Sequence, residues 1–251
     1  MLTLLKEQKS RFAPAYLAHK YMGQHWDPLF VTEVRSEMAE IGLKPVGSAT
    51  LVENHDSFVL GRAAREALAV IGDEDVMARD FLIDQFFRRD LFVREGKALD
   101  EHGQRQRLLA NAFALARGAG KIEYALRTAA GHLNFDNAAA RAIIAGLAAG
   151  PCRLGAIAEQ SDAAAEDVVA NAIALCASSQ ILPVESRRAS VAAMNAAISR
   201  RLGGPEEIAY VALPCGTALP VNDPVRSLLR GDTGGDVEYD EWRDFLTAHG
   251  I

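Results

Sequence analysis

Nowhere in this 251-residue sequence does an apolar strand run into a glycine-rich loop and then a helix, with an acidic residue about twenty positions further on. A doubly wound parallel sheet needs that succession to hold a nucleoside cofactor on backbone amides, so the sequence points away from that architecture. The nearest approach, Gly118-Ala119-Gly120-Lys121, lacks the first glycine of a phosphate loop and carries Ile122 where a hydroxyl residue would meet magnesium. What remains is a chain of short helices and a few brief extended runs. The expected fold is mostly α with small β elements, an α+β arrangement of two domains, the second winged-helix-like.

The helices announce themselves by their ends. Asp27-Pro28 offers a cap followed by a proline at the first helical position, where a missing N–H costs nothing. Val31, Val34, Met38 and Ile41 then recur at helical spacing until Gly42. A shorter helix is expected over 15–22, a strand over 44–51, helices over 61–71 and 74–87 with Val76, Met77, Phe81 and Phe86 toward a core, and an extended run at 91–93. Beyond residue 100, Leu108 to Ala116 and Ile122 to Thr128 read as a hairpin joined at Gly118-Ala119-Gly120. Helices capped near Asp136 or Asn137, over 154–159, and capped at Ser161-Asp162 follow. An extended segment with Pro183, a helix carrying Val191, Met194, Ile198 and Leu202, an irregular or extended stretch over 209–221, and a last helix around Trp242, Phe245 and Leu246 complete the reading.

A length of 251 residues and 49% apolar content support two modest cores. Five of the six lysines precede residue 100, which with the polar stretch 95–106 sets the expected boundary: residues 1–98 and residues 99–251. Net charge is -6, and the deficit is even: residues 1–100 carry 13 basic and 16 acidic side chains, the rest 14 and 17. That argues against a general polyanion-binding surface. No run of about 18 uncharged apolar residues occurs, and residues 1–11 hold Lys6, Glu7, Lys9 and Arg11 rather than a signal-peptide core, so a cytoplasmic chain is expected. Cys152, Cys176 and Cys215 lie far apart without a CxxC pair, and are read as reduced and structural.

Three groups of side chains can carry chemistry. The densest is Tyr16, His19, Tyr21, His25, Trp26 and Asp27. His19 and His25 stand six apart, which does not put two ligands on one helical face, so no metal is expected there. Rings with an apolar body and a polar tip suit a partly wet interface. Arg88, Arg89 and Asp90 can clamp a carboxylate or phosphate, or serve as basic residues closing a helix. Glu53-Asn54-His55-Asp56 reads as a capping turn or the rim of a site. The helix over 161–179 would be the recognition helix of a winged segment, but it has no lysine or arginine and begins with Asp162, Glu166 and Asp167. Arg187 and Arg188 in the wing oppose that only in part.

Four blocks in order resemble one known family. They are Ala15-Tyr16-Leu17-Ala18-His19-Lys20-Tyr21-Met22, His25-Trp26-Asp27-Pro28-Leu29-Phe30, Gly47-Ser48-Ala49-Thr50-Leu51-Val52-Glu53-Asn54 and Phe87-Arg88-Arg89-Asp90-Leu91-Phe92-Val93-Arg94. Pro14 to Arg94 thereby resembles the methyltransferase regulatory domain that follows the catalytic domain of many bacterial class I methyltransferases. Lys20 departs from the acidic residue common after the first histidine in that family. The resemblance implies a Rossmann-type domain upstream that uses S-adenosylmethionine, acting in cis or trans with this chain. Some relatives look like protein lysine methyltransferases, which implies a protein substrate. With Met1 only thirteen residues before the first block, the catalytic domain is expected to be absent here.

The expectation is therefore a non-catalytic regulatory or substrate-recognition region with no cofactor of its own. Tyr16, His19, Tyr21, His25 and Trp26, with Asn54, Arg88 and Arg89, would face the catalytic domain or its substrate. The alternatives are a winged-helix transcription regulator binding DNA and a small hydrolase or metalloenzyme built on His19 and His25.

Overall fold

The structure, a computed structural model, describes residues 14, 15, 18, 27–72, 75–85, 87–184, 190–202, 210–214, 216–231 and 237–248. About half of it is helix, with small antiparallel sheets.

The first element described in full is α1 (Val31–Glu40), three residues later than the Asp27-Pro28 cap suggests. The cap is made from inside the helix instead: the Phe30 N–H donates to Glu33 Oε2 at 2.7 Å. Gly42 at φ +76 closes the helix, with its own N–H on the Ala39 carbonyl and that of Leu43 on Met38, so this terminus falls where expected. Strand β1 (Lys44–Ser48) follows, shorter than the predicted 44–51 because Leu51–Asn54 forms a 3-10 turn. Next come α2 (Asp56–Val59), α3 (Arg62–Ile71), α4 (Val76–Leu82) and β2 (Asp90–Val93). β1 and β2 pair antiparallel, with a bulge between Pro45 and Gly47.

Helix α4 is half the predicted 74–87. Asp75 caps it, accepting from the Met77 and Ala78 amides, and Asp84 at φ +54 turns the chain out. Stopping there leaves Ile83 buried at 8% exposure, while Phe81 stands 72% exposed rather than in the core. Phe86 lies outside the described residues. The resulting core is small: Val59, Leu60, Leu68 and Ile83.

The second, larger core gathers the remaining elements. These are α5 (Glu101–Ala110), β3 (Ala112–Leu115), β4 (Ala125–Thr128), β5 (Gly131–Asn134), α6 (Ala138–Ala148), β6 (Cys152–Arg153), α7 (Leu154–Gln160), α8 (Ala165–Ala177), β7 (Ile181–Val184), α9 (Ala192–Ser199), β8 (Tyr210–Ala212), β9 (Ala218–Pro220), α10 (Asp223–Arg230) and α11 (Val237–Ala248). The expected hairpin over 108–128 does not form. Leu108 belongs to α5, and β3 pairs on one side with β6 and on the other with β7. An Ala-Phe-Ala-Leu strand with three of its four residues buried is better served by neighbours on both edges than by one hairpin partner. β4 instead turns back on β5 through a tight turn that ends at Gly131, φ +117.

Asn137 caps α6 through its Oδ1, and Gly150 at φ +131 follows its end, both as the sequence predicts. Ile143, Val168, Leu175, Ile181, Val211 and Val225 are fully buried. The buried polar residues Asn171, Gln180 and Asn195 are bonded: Asn195 accepts from the Ala212 N–H and donates to its carbonyl, both at 2.9 Å, pinning α9 to β8. Phe58 packs against both cores, and the 3-10 turn rests on α8, so the first segment is anchored to the second. Cys152 and Cys176 are free thiols, and burial pushes that of Cys176 up; Cys215 lies outside the described residues.

Candidate functional site

The bulge in β1 shapes the first segment's polar cleft. Gly47, at φ +156, lets the backbone pass so close to Asn54 that a Cβ there would stand 2.6 Å from Asn54 Oδ1. Asn54 uses this closeness to clip the strand to the 3-10 turn. Its Oδ1 accepts the Ser48 N–H at 2.7 Å, and its Nδ2 donates to the carbonyls of Ser48 at 2.8 Å and Leu51 at 3.2 Å. Ser48 Oγ in turn donates to Glu53 Oε2 at 2.6 Å and accepts the Thr50 N–H at 3.0 Å. Of the two readings offered by the sequence for Glu53 to Asp56, the geometry of Asn54 is that of a turn clip.

The cleft beside this clip, about 210 Å³, is lined by Arg35, Gly47, Ser48, Glu53, Asn54, Val76, Arg79 and Arg88. Arg79 bonds Asp56 through Nε at 2.7 Å and the Glu53 carbonyl through Nη2. Gln85 reaches Glu53 Oε1 at 3.1 Å. Arg88 sits between two carboxylates: Nε and Nη2 hold Asp90, the latter at 2.8 Å, and Nη1 holds Asp80. Side chains in this triad are 22%, 10% and 16% exposed. Burial pushes the Asp80 carboxyl above the usual carboxylate range, against the pull of the Arg88 guanidinium.

Arg88 is therefore neither a free clamp nor a basic residue in a helix's last turn. Helix α4 has already ended at Leu82, and Arg88 and Arg89 stand in the extended link before β2. Arg89 points elsewhere, donating to Thr50 Oγ1 at 2.9 Å from an exposed position. Of the predicted site residues, Asn54 and Arg88 thus share the cleft and Arg89 does not line it. Tyr16, His19, Tyr21, His25 and Trp26 lie outside the described residues. Arg35 and Arg79 join the site without a local signal, because α1, the turn and α4 meet only in three dimensions, whereas Glu53 belongs to the Glu53 to Asp56 turn that the sequence already marks as a candidate rim.

His55 follows the clip, its ring 5.6 Å from that of Phe58, and burial lowers its pKa below the ordinary 6.5. The unfolded chain then takes up the proton first, so stability falls as pH drops below the unfolded value. Urea melts from about pH 7 to pH 5 should show this decline in the native chain, and a shallower one in His55→Gln, whose difference curve isolates this group.

The segment that holds this cleft is similar to known proteins. Residues 13–94 match the family described as the predicted methyltransferase regulatory domain. A protein of Synechocystis sp. described as uncharacterized, sll1526, is 30% identical over 235 residues, covering 88% of this chain and 45% of that protein. The structure of PKMT2 from Rickettsia typhi superposes over 96% of this chain and 54% of its own, with a TM-score of 0.54 and 11% identity. The same protein in complex with AdoHcy gives a TM-score of 0.53 and 12% identity, covering 96% of this chain and 53% of its own. At such identities the likeness is one of fold. The chain spans about half the length of these relatives.

Proposed function

We propose that this chain is a regulatory or substrate-recognition region working with an S-adenosylmethionine-dependent methyltransferase region, in cis or in trans, and performing no bond chemistry itself. The observation that carries the reading is the family match of residues 13–94, within a chain that spans about half the length of its relatives. PKMT2, one of whose structures is a complex with AdoHcy, has about half of its chain outside the part this chain covers.

The surface supports it. Twelve large apolar side chains are exposed among the described residues, and nine precede residue 95, including Val46, Val70, Phe81, Phe87 and Leu91. So much uncovered apolar area over so small a core suits a unit that packs on another protein surface. That surface and Asn54, with Tyr16, His19, Tyr21, His25 and Trp26 and the neighbouring Arg88 and Arg89, form the proposed contact region, and the substrate is a protein. Residues 1–98 act as the regulatory domain and 99–251 as a winged-helix-like partner of it, in a bacterial, cytoplasmic protein.

This reading leaves S-adenosylmethionine to a region other than the described residues. Their strand pairings are all antiparallel, and Ala119–Lys121 forms a 3-10 turn rather than the start of a helix facing a nucleotide. Nor does DNA gain support: the first turn of α8 carries Glu166 and Asp167, and Glu166 pairs with Arg105. Arg187 and Arg188 lie outside the described residues. Titration calorimetry of S-adenosylmethionine into this chain alone should give no binding heat, whereas tight stoichiometric binding would overturn the reading.

A further inference from the structure

The cleft between α1, the Asn54 clip and α4 contains one polar side chain whose bonds are not made. Arg35 projects from the middle of α1 and lines the cleft, its Nε is shut off from solvent, and among the described residues it has no hydrogen-bond or ion-pair partner. Every other polar side chain of the lining is committed. Arg79 is held by Asp56 and the Glu53 carbonyl, and Arg88 by Asp80 and Asp90. Ser48 and Asn54 spend their donors on Glu53 and on backbone carbonyls. A buried donor left unbonded is costly, so an interior rarely keeps one without a use.

We propose that this cleft is an oxyanion site, in which a carboxylate or phosphate seats against the Arg35 guanidinium. The chemistry follows from the donor set. Guanidinium presents N–H groups in a planar fork that matches two oxygens of such a group, and five of its donors are free here. Arg79 spends Nε and Nη2, which leaves its Nη1 on the same cleft as a second donor. Two guanidinium groups, Arg79 and Arg88, are met by three carboxylates, Asp56, Asp80 and Asp90, so these paired groups have no positive charge to spare. The charge of Arg35 is offset by nothing bonded to it. Glu53 is the carboxylate on the lining, and its charge works against an arriving anion. That opposition gives the proposal a signature with two signs: removing Arg35 abolishes binding, and neutralising Glu53 strengthens it. A single guanidinium left open beside paired ones is also selective, since it has room for one small oxyanion and no surplus charge for a polyanion.

The inference is independent of the methyltransferase reading and is tested on this chain alone. Arginine Nε–H signals would be followed by nitrogen-15 NMR during titration with sodium phosphate and, separately, sodium acetate, with chloride holding ionic strength constant. The Arg35 signal, identified by its loss in Arg35→Lys, is expected to move saturably with at least one of the two anions and to stay still with chloride. A stronger response to acetate points to a carboxylate, as on an acidic side chain, and a stronger response to phosphate to a phosphoryl group. Thermal melts should show an anion-dependent rise that Arg35→Gln loses and that needs about tenfold less anion in Glu53→Gln, close to the effect of one nearby charge. If Arg35→Gln does not fold, Arg35→Lys, which keeps the charge and loses the fork, should bind about tenfold more weakly. A still Arg35 signal at anion concentrations on the order of 100 mM, or equal anion response in the native and Arg35 variants, overturns the proposal.

Discussion

Arg88→Leu is expected to lower the stability of residues 27–94 by about 2–4 kcal/mol, read as a lower urea midpoint at unchanged slope. The reason is what it leaves behind. Asp80 and Asp90 are 16% and 10% exposed and both depend on the Arg88 guanidinium, so its loss strands two carboxylates in poor solvent contact. Residual access to water keeps the cost below that of a fully buried pair. Arg88→Lys should recover only part of the loss, since one ammonium cannot occupy the three nitrogen positions that now hold Asp80 and Asp90. A Leu variant within about 0.5 kcal/mol of the native chain would show that the triad is an ornament of the surface.

Gly47→Ala should be nearly as damaging, at about 3 kcal/mol, and for a different reason. Its new Cβ would stand 2.6 Å from Asn54 Oδ1 at a backbone φ of +156, so the clip has to open and the bulge has to strain. Opening costs the paired bonds between Asn54 and Ser48. Asn54→Ala alone removes those bonds without any clash and should cost about 1–2 kcal/mol. The double variant is the sharper measurement. With the Asn54 amide gone the Cβ has room, so the two losses should fall short of additive by about 1 kcal/mol or more. Simple additivity would mean that the steric conflict is not with Asn54.

The difference between what could be read in the sequence and what could not follows a physical line. Ends marked by local chemistry were legible: Gly42 after α1, Asn137 before α6 and Gly150 after it all behave as caps. α10 obeys the same grammar, with Asn222 as cap, Pro224 in the first turn and left-handed Gly231 at the end, yet a reading of 209–221 as extended stopped just short of it. Strand partners were not legible. Ala112–Leu115 looks like one arm of a hairpin by proximity to the next apolar run, but its partners lie at Cys152 and beyond Gln180. Phe81 misled because hydrophobic character was read without knowing that Asp84 ends α4 early. In the cleft, Asn54 and Arg88 stood out because each lies in a family block, whereas Arg35 acquires meaning only when a bulge in β1 brings the turn toward α1.

The pairing of Ser48 with Asp90 joins two strands whose intervening residues 49–89 hold the 3-10 turn, α2, α3 and α4. Such a clasp is entropically slow to shut, because a long stretch of chain must be gathered before its first ladder bond forms. Once shut, it makes the pieces it encloses share one fate. Short helices such as α2 and α4 would fray singly if left to themselves, and here they hold or let go together with the ribbon that girdles them. A force or partner that prised β2 from β1 would therefore act as a release catch, loosening the cleft and its salt triad in one motion.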